Sequence, residues 1–176
     1  GASGRFVITA NNLVIGYDEP LSKPLNFVIE RGKKVVIKGA NGIGKSTLLK
    51  TLLGILKPLS GECKLDYNIH YGYFAQEEEC SKNTAHQEIW DEYPSMTNAE
   101  VRGALASCGL TKEKIESLMM VLSGGEAAKV RLCKIMLKEC NTLVLDEPTN
   151  HLDVLAKESL KDALKQFKGT IVLVCH

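Results

Sequence analysis

The sequence predicts an α/β domain built on a parallel core sheet, and three features predict it. The strand-like run Lys34-Val35-Val36-Ile37-Lys38 leads straight into a glycine-rich loop and then into a helical pattern. The segment Thr142-Leu143-Val144-Leu145 is apolar throughout, as a strand buried on both faces of a parallel sheet must be. Between them lie helix-start signatures, Thr97 with Glu100 and Ser123 with Glu126.

Taken in order, Phe6-Val7-Ile8, Leu13-Val14-Ile15 and Leu25 to Ile29 read as short strands, and Arg31-Gly32 as a turn before the strand at 34–38. After the loop, Leu48, Leu49, Leu52, Leu53 and Leu56 share one helical face, with Pro58 as the expected stop. Cys63 to Phe74 reads as a hairpin-like stretch. Thr97 opens a helix with Val101, Ala104, Leu105 and Cys108 on one face and Gly109 at its end. A short helix fits Lys112 to Met119, and Ser123 opens another to about Lys138. Asp153 is placed to cap a helix with Ala156, Leu160, Ala163, Leu164 and Phe167 inward, ended by Gly169; Thr170 to Cys175 is a last buried strand.

Composition excludes several classes. The 176 residues suffice for one sizeable core. A 44% hydrophobic and 24% charged content is that of a soluble globular domain. No apolar run approaches the ~20 residues of a membrane helix. Gly1-Ala2-Ser3-Gly4 has neither the basic nor the apolar stretch of a secretory signal, and no initiating methionine. A net charge of +1 gives no reason to expect nucleic acid or an anionic membrane. The six cysteines (Cys63, Cys80, Cys108, Cys133, Cys140, Cys175) contain no C-x-x-C pair, so free thiols in a reducing cytosol are expected rather than a disulfide framework or zinc site. His70 and His86 carry no pattern.

The loop Gly39-Ala40-Asn41-Gly42-Ile43-Gly44-Lys45-Ser46 fits G-x-x-x-x-G-K-[ST]. Glycines let backbone N–H groups curl around phosphate oxygens, and the helix that follows points its positive end at them. Gly39, Asn41, Gly42, Gly44, Lys45, Ser46 and Thr47 are the expected nucleotide contacts. Lys45 should reach the β- and γ-phosphates, and the Ser46 hydroxyl should bind Mg²⁺. Asp146 and Glu147 end the apolar strand at 142–145, and ligands of parallel sheets bind at the carboxyl ends of strands. Asp146 is the expected Mg²⁺ residue and Glu147 the one that polarises the attacking water. Leu122-Ser123-Gly124-Gly125-Glu126, taken alone, is a capped helix start; it is also a good anion site.

In this order the three segments resemble the ABC (ATP-binding cassette) ATPase family, over nearly the whole chain. The resemblance implies an ABC-type P-loop fold with a parallel core sheet, an N-terminal antiparallel β subdomain and a small α-helical subdomain carrying the signature. It implies one nucleotide-binding domain over 1–176: 5–38 mainly β, 39–76 from phosphate loop to Q-loop, 77–138 helical, and 139–176 from the acidic pair to the switch histidine. It implies that Tyr17 stacks on adenine, that Gln76 contacts Mg²⁺ and the attacking water, that Asp153 touches an opposing subunit, and that His176 lies near the γ-phosphate. Ser123, Gly124 and Gly125 would serve the nucleotide of an opposing cassette, head to tail.

Glu147-Pro148-Thr149-Asn150-His151-Leu152-Asp153 looks like the F subfamily, as do Gly16 to Leu21 and Gly72 to Gln76, because transporter cassettes usually carry small residues where Asn150 and His151 stand. The resemblance therefore implies a cytoplasmic ATPase using ATP and Mg²⁺, with ATP or ADP and a second cassette as partners. A ribosome would be met through regions outside this sequence, with a translation or antibiotic-resistance role. Gln76 to Ser123 is too short for the helical arm of a first cassette, so an excised second cassette is expected. The alternatives are a membrane transporter's ATP-binding subunit, a coiled-coil DNA-repair ATPase, disfavoured by the absence of a long heptad insertion, and a degenerate cassette, disfavoured by Lys45 and Glu147.

Overall fold

The computed structural model describes residues 5–38, 42–74, 81–150 and 152–175. In chain order its elements are β1 (Phe6–Val14), β2 (Leu25–Glu30), β3 (Lys34–Lys38), α1 (Gly42–Leu52), β4 (Ser60–Leu65), β5 (Tyr71–Phe74), α2 (Ala85–Glu92), α3 (Asn98–Ser107), α4 (Lys112–Ile115), a 3₁₀ turn (Met119–Val121), α5 (Gly124–Leu137), β6 (Thr142–Asp146), α6 (Val154–Gln166) and β7 (Thr170–Cys175). They fall into two compact units. One comprises Gly1–Gln76, Cys140–Glu147 and Lys168–His176; the other comprises Glu77–Glu139 and Pro148–Phe167. Length alone suggested one core; each unit has its own buried cluster.

The first unit holds an antiparallel sheet ordered β2-β1-β4 and a parallel sheet ordered β3-β7-β6-β5. The expected parallel core and antiparallel N-terminal part are both present. Their shared core packs Ile8, Leu13 and Ile29 with Leu49, Leu52 and Leu53 of the α1 region and with Val144, Val172 and Val174.

In the first unit the structure departs from three local expectations. The two strands expected at 6–8 and 13–15 are one strand. Asn11-Asn12 interrupts the apolar pattern as an irregularity in the register, not as a break. Asn12 takes φ 48°, a conformation asparagine tolerates better than most residues. Its N–H donates to Asn26 Oδ1 at 2.9 Å. Opposite it, Gly61 has φ 73°, and a Cβ there would lie 2.0 Å from the Asn12 carbonyl oxygen.

Helix α1 stops at Leu52, before Leu56 and Pro58. Gly54 at φ 77° closes it: its N–H donates to the Thr51 carbonyl and the Ile55 N–H to that of Lys50, which is the Schellman arrangement. The stretch from Cys63 to Phe74 is no hairpin. β4 pairs antiparallel with β1, and β5 pairs parallel with β6. The crossing from one sheet to the other is held by Arg31, which bridges to Asp66 at 2.5 Å, and by Asn141. Asn141 Oδ1 accepts the His70 N–H, and its Nδ2 donates to the Asn68 carbonyl.

In the second unit, Thr97 and Ser123 form the expected capping boxes of α3 and α5, each accepting the N–H three residues on. The residue pattern predicts no helix at α2, although the family resemblance makes 77–138 helical. The Thr84–Gln87 capping box of α2 is the same signature with glutamine in place of glutamate. The segment expected as one helix from Lys112 to Met119 is instead α4 followed by the 3₁₀ turn. Extended Leu118 separates them, bridging to Thr84. α6 ends at Gln166, short of Gly169. Ile89, Val101, Leu105, Ile115 and Val130 make the unit's core.

Glu88 of α2 is a polar fastening within this unit. Its carboxylate accepts from Ser81 Oγ, from Asn83 Nδ2 and from Lys134 Nζ at 3.1 Å. Burial pushes its carboxyl up, but Ser81, Lys134 and Asn83 together hold it below its ordinary value of 4.5. A carboxyl held down in the folded state adds stability above its unfolded value, and that stability is lost as pH falls. Glu88→Gln is therefore expected to lower the urea midpoint at neutral pH, with the deficit shrinking as the pH is taken below 4.5. A deficit independent of pH would show that the charge contributes nothing.

Candidate nucleotide-binding site

The parallel register of the first unit brings the carboxyl ends of three strands level. Lys38 of β3 pairs with Cys175 of β7, and Val174 with Asp146 of β6. Helix α1 starts just beyond β3, so Lys45 and Ser46 lie in its first turn or just after it. Ser46 Oγ donates to Asp146 Oδ2 at 2.7 Å. Lys45 Nζ donates to the Cys175 carbonyl at 3.3 Å and lies 3.7 Å from Glu147 Oε1. The Glu147 N–H donates to the Val174 carbonyl, extending the pairing of β6 with β7 by one residue.

Every residue of β6 is buried, and so is Glu147. Burial pushes the Asp146 carboxyl up, the Ser46 hydrogen bond and the charges of Lys45 and Lys50 oppose this, and the Glu147 charge adds to it. Lys50, one turn after Ser46 on α1, had no part in the motif; its i, i+4 spacing was the available signal. The Cys175 carbonyl could not have been read from sequence, since a backbone acceptor leaves no residue type behind.

Glu147 itself has φ 49°. A non-glycine residue in this left-handed region costs of order 1 kcal/mol or more and persists only where its surroundings enforce it. Here the strand must end at Asp146 and turn at once, while the Glu147 side chain stays beside Lys45.

The remaining expected residues are placed as follows. Thr47 is buried, and its carbonyl accepts the Thr51 hydroxyl. Gly42 opens α1; a Cβ at Gly44 would meet nothing within 4 Å among the described residues. Tyr17 is 57% exposed, beside the Gly16–Pro20 bridge. In the second unit, Ser123 Oγ accepts the Glu126 N–H, and Glu126 Oε1 accepts the Ser123 N–H. Asp153 precedes α6, and its carbonyl accepts the Lys157 N–H at 3.0 Å. Gly39, Asn41, Gln76 and His176 lie outside the described residues.

The donor set suits a hard cation. A hydroxyl and a carboxylate converge at Ser46 and Asp146, and a cation there would relieve the burial that drives Asp146 toward protonation. Lys45 and the α1 N-terminus suit a polyphosphate. The site fits Mg²⁺ with a nucleotide.

A family model described as ABC transporter matches residues 22–150. The chain belongs to the ATP-binding cassette family. This cassette is 58% identical to the ABC transporter ATP-binding protein YfmM of Bacillus subtilis, over 99% of the chain and 34% of that protein. It is 40% identical to ABC transporter F family member 2 of Arabidopsis thaliana, over 100% of the chain and 27% of that protein. It is 35% identical to Protein GCN20 of Saccharomyces cerevisiae, over 97% and 23%. The cassette thus spans about a third or less of the length of these relatives. Among solved structures, an ABC transporter (ATP-binding protein) from Pyrococcus furiosus superposes with a TM-score of 0.80 at 25% identity, covering 96% of this chain and 90% of that one. A dimeric cassette bound to ADP and Pi gives 0.81 at 22% identity, over 96% and 88%, a likeness of fold.

The strain at Glu147 can be isolated by two substitutions that both remove its charge. Glu147→Asn is expected to be more stable than Glu147→Ala by about 1 kcal/mol in urea unfolding, because asparagine tolerates the left-handed region better. Equal stabilities would mean that the turn relaxes freely.

Proposed function

We propose that this cassette binds ATP with Mg²⁺ and hydrolyses it to ADP and phosphate, at an interface with a second cassette placed head to tail. The observation that carries the reading is the meeting of Lys45, Ser46, Asp146 and Glu147 at the ends of the parallel strands. Phosphoryl transfer needs positioning and charge stabilisation more than covalent help, and these four groups supply both. Lys45 neutralises phosphate charge. Glu147, fixed by its backbone to β7, orients the attacking water and takes its proton on the carboxylate. Mg²⁺, held by Ser46 Oγ and Asp146 with Gln76, would neutralise charge on the phosphate oxygens. Gly39, Asn41, Gly42, Gly44 and Thr47 complete the phosphate cradle, Tyr17 offers an exposed ring to adenine, and His176 contacts the γ-phosphate.

Ser123, Gly124, Gly125 and Asp153 act on the nucleotide of the opposing cassette. The capping box occupies the N–H groups of Ser123 and Glu126. Those of Gly124 and Gly125 have no partner among the described residues, and they head an exposed helix start suited to an anion.

The segment Glu147 to Asp153 and the F-family relatives support a cytoplasmic F-subfamily factor that reaches a ribosome through other parts of its polypeptide. The transporter reading draws on relatives named as ABC transporter ATP-binding proteins. Among the described residues no helix is long and apolar enough to cross a membrane. Cosedimentation of the parent protein with ribosomes when hydrolysis is blocked supports the first; recovery with a membrane-spanning partner supports the second.

Mg-ATP at about 100 times its Kd is expected to stabilise the chain by about 2.7 kcal/mol, and Lys45→Ala to remove most of that gain. An unchanged gain in the variant would sink the site. Glu147→Gln is expected to keep the stabilisation and lose about 10²-fold or more in turnover. Ser123→Arg is expected to suppress turnover while leaving ATP binding by the single chain intact.

A further inference from the structure

Strand β3 leads into the phosphate-binding loop, yet burial does little to hold it. It stands at the end of the order β3-β7-β6-β5 and, among the described residues, pairs with β7 alone. Lys34, Val36 and Lys38 are exposed, and Val35 and Ile37 are only half-buried. Among the described residues it is the one strand of this sheet with no buried side chain; every residue of β6 and four of the six in β7 are buried. Burial of one face is what normally specifies a strand's register. A parallel ladder repeats every two residues, so backbone pairing by itself permits a displacement of about 6.6 Å. Val35 and Ile37 share a face and differ by one methylene, so their packing discriminates weakly between registers.

A polar peg stands at the amino end of this strand. The Gly32 N–H donates to Thr170 Oγ1 at 2.9 Å. Thr170 is the first residue of β7 and is 1% exposed. Its own N–H donates to the Asn141 carbonyl at 2.9 Å, which ties it to the start of β6. The Ile171 N–H donates to the Lys33 carbonyl at 3.0 Å. On the other side of the turn, Arg31 is held to the antiparallel sheet: its N–H donates to the Arg5 carbonyl and its guanidinium pairs with Asp66. The turn from which β3 issues is thus fixed on both sides.

We propose that Thr170 is a positioning residue of the nucleotide site, acting from the opposite end of the sheet. By holding Gly32 it sets the level of β3 against β7 and β6, and so delivers Lys45 and Ser46 to the Cys175 carbonyl, Glu147 and Asp146. The five residues of β3 span about 16 Å, so the Thr170 hydroxyl touches no ligand itself. The contacts it serves have little tolerance: 2.7 Å from Ser46 to Asp146, 3.3 Å from Lys45 to Cys175 and 3.7 Å from Lys45 to Glu147. A displacement of β3 by one residue, about 3.3 Å, breaks all three. This inference rests on the reading of these residues as an ATP site.

The test is the Kd of the single chain for Mg-ATP, measured by calorimetry well below the unfolding transition. Thr170→Val keeps the shape and the strand preference of threonine and removes the acceptor. It is expected to bind about tenfold more weakly with an unchanged circular dichroism spectrum, the effect of about one lost hydrogen bond. Thr170→Ser keeps the hydroxyl and should restore the native Kd. Thr170→Ala also lacks the hydroxyl and replaces the valine variant if that one fails to fold. Ile8→Val trims the buried core of the antiparallel sheet and should lower the urea midpoint without changing the Kd. The proposal is overturned if Thr170→Val binds like the native chain, if Thr170→Ser is as weak as Thr170→Val, or if Ile8→Val weakens binding equally. Lys45→Ala separates the two possible failures. If it binds Mg-ATP as tightly as the native chain, the ATP site itself is wrong and the peg falls with it; if it binds weakly while Thr170→Val does not, the peg alone is wrong.

Discussion

Two adjacent carboxylates at the end of a wholly buried strand set the terms for the rest of the first unit. Asp146 and Glu147 are 2% and 5% exposed. Charges removed from water at this depth are tolerated only with partners close by. Ser46 supplies a hydroxyl at 2.7 Å and Lys45 an ammonium 3.7 Å from Glu147, and both stand at the start of one helix. For α1 to deliver them, β3 must end level with β6, and β7 must lie between the two strands. The β7 backbone is then used twice, taking the Lys45 ammonium at Cys175 and the Glu147 N–H at Val174. Sheet order, loop and acidic pair form one electrostatic arrangement, and the left-handed turn at Glu147 is the conformational cost of fitting both carboxylates into it.

The elements legible in the sequence were those whose cause is local. Ser123 and Thr97 announce helices because a cap and its reciprocal glutamate lie within one turn. Thr142 to Leu145 reads as a central strand because both faces are apolar. Helix α2 escaped because Ala85 and Ile89 are its main inward apolar residues, and polar side chains dilute the period. Asn12 looked like a strand break because its effect depends on Asn26 and Gly61, far away in sequence. The stretch from Cys63 to Phe74 looked like a hairpin because two β-rich runs flank a turn. The choice of partner was made elsewhere, by Asn141 and by the register of β5 with β6. In the candidate site, the residue types of Lys45, Ser46, Asp146 and Glu147 were visible as motifs. Their distances, the part of Lys50 and the backbone acceptors were not, since these exist only once the sheet has formed.

The helical unit obeys a different constraint. Its core is small, so short helices need polar fastenings at their ends. Helix α5 gathers several of these. Its first turn is closed by Ser123 and Glu126, and its last turn gives Lys134 to Glu88 and the Lys134 carbonyl to the Tyr93 hydroxyl. A 14-residue helix is a stiff rod of about 21 Å. Restraints along it are therefore not independent of one another. Glu88 and Tyr93 hold its far end. The turn at Ser123, Gly124 and Gly125 sits on a rod fastened at both ends. How steadily the rod presents the two glycine N–H groups of that turn is therefore set in part by Glu88 and Tyr93, which hold the far end of the helix.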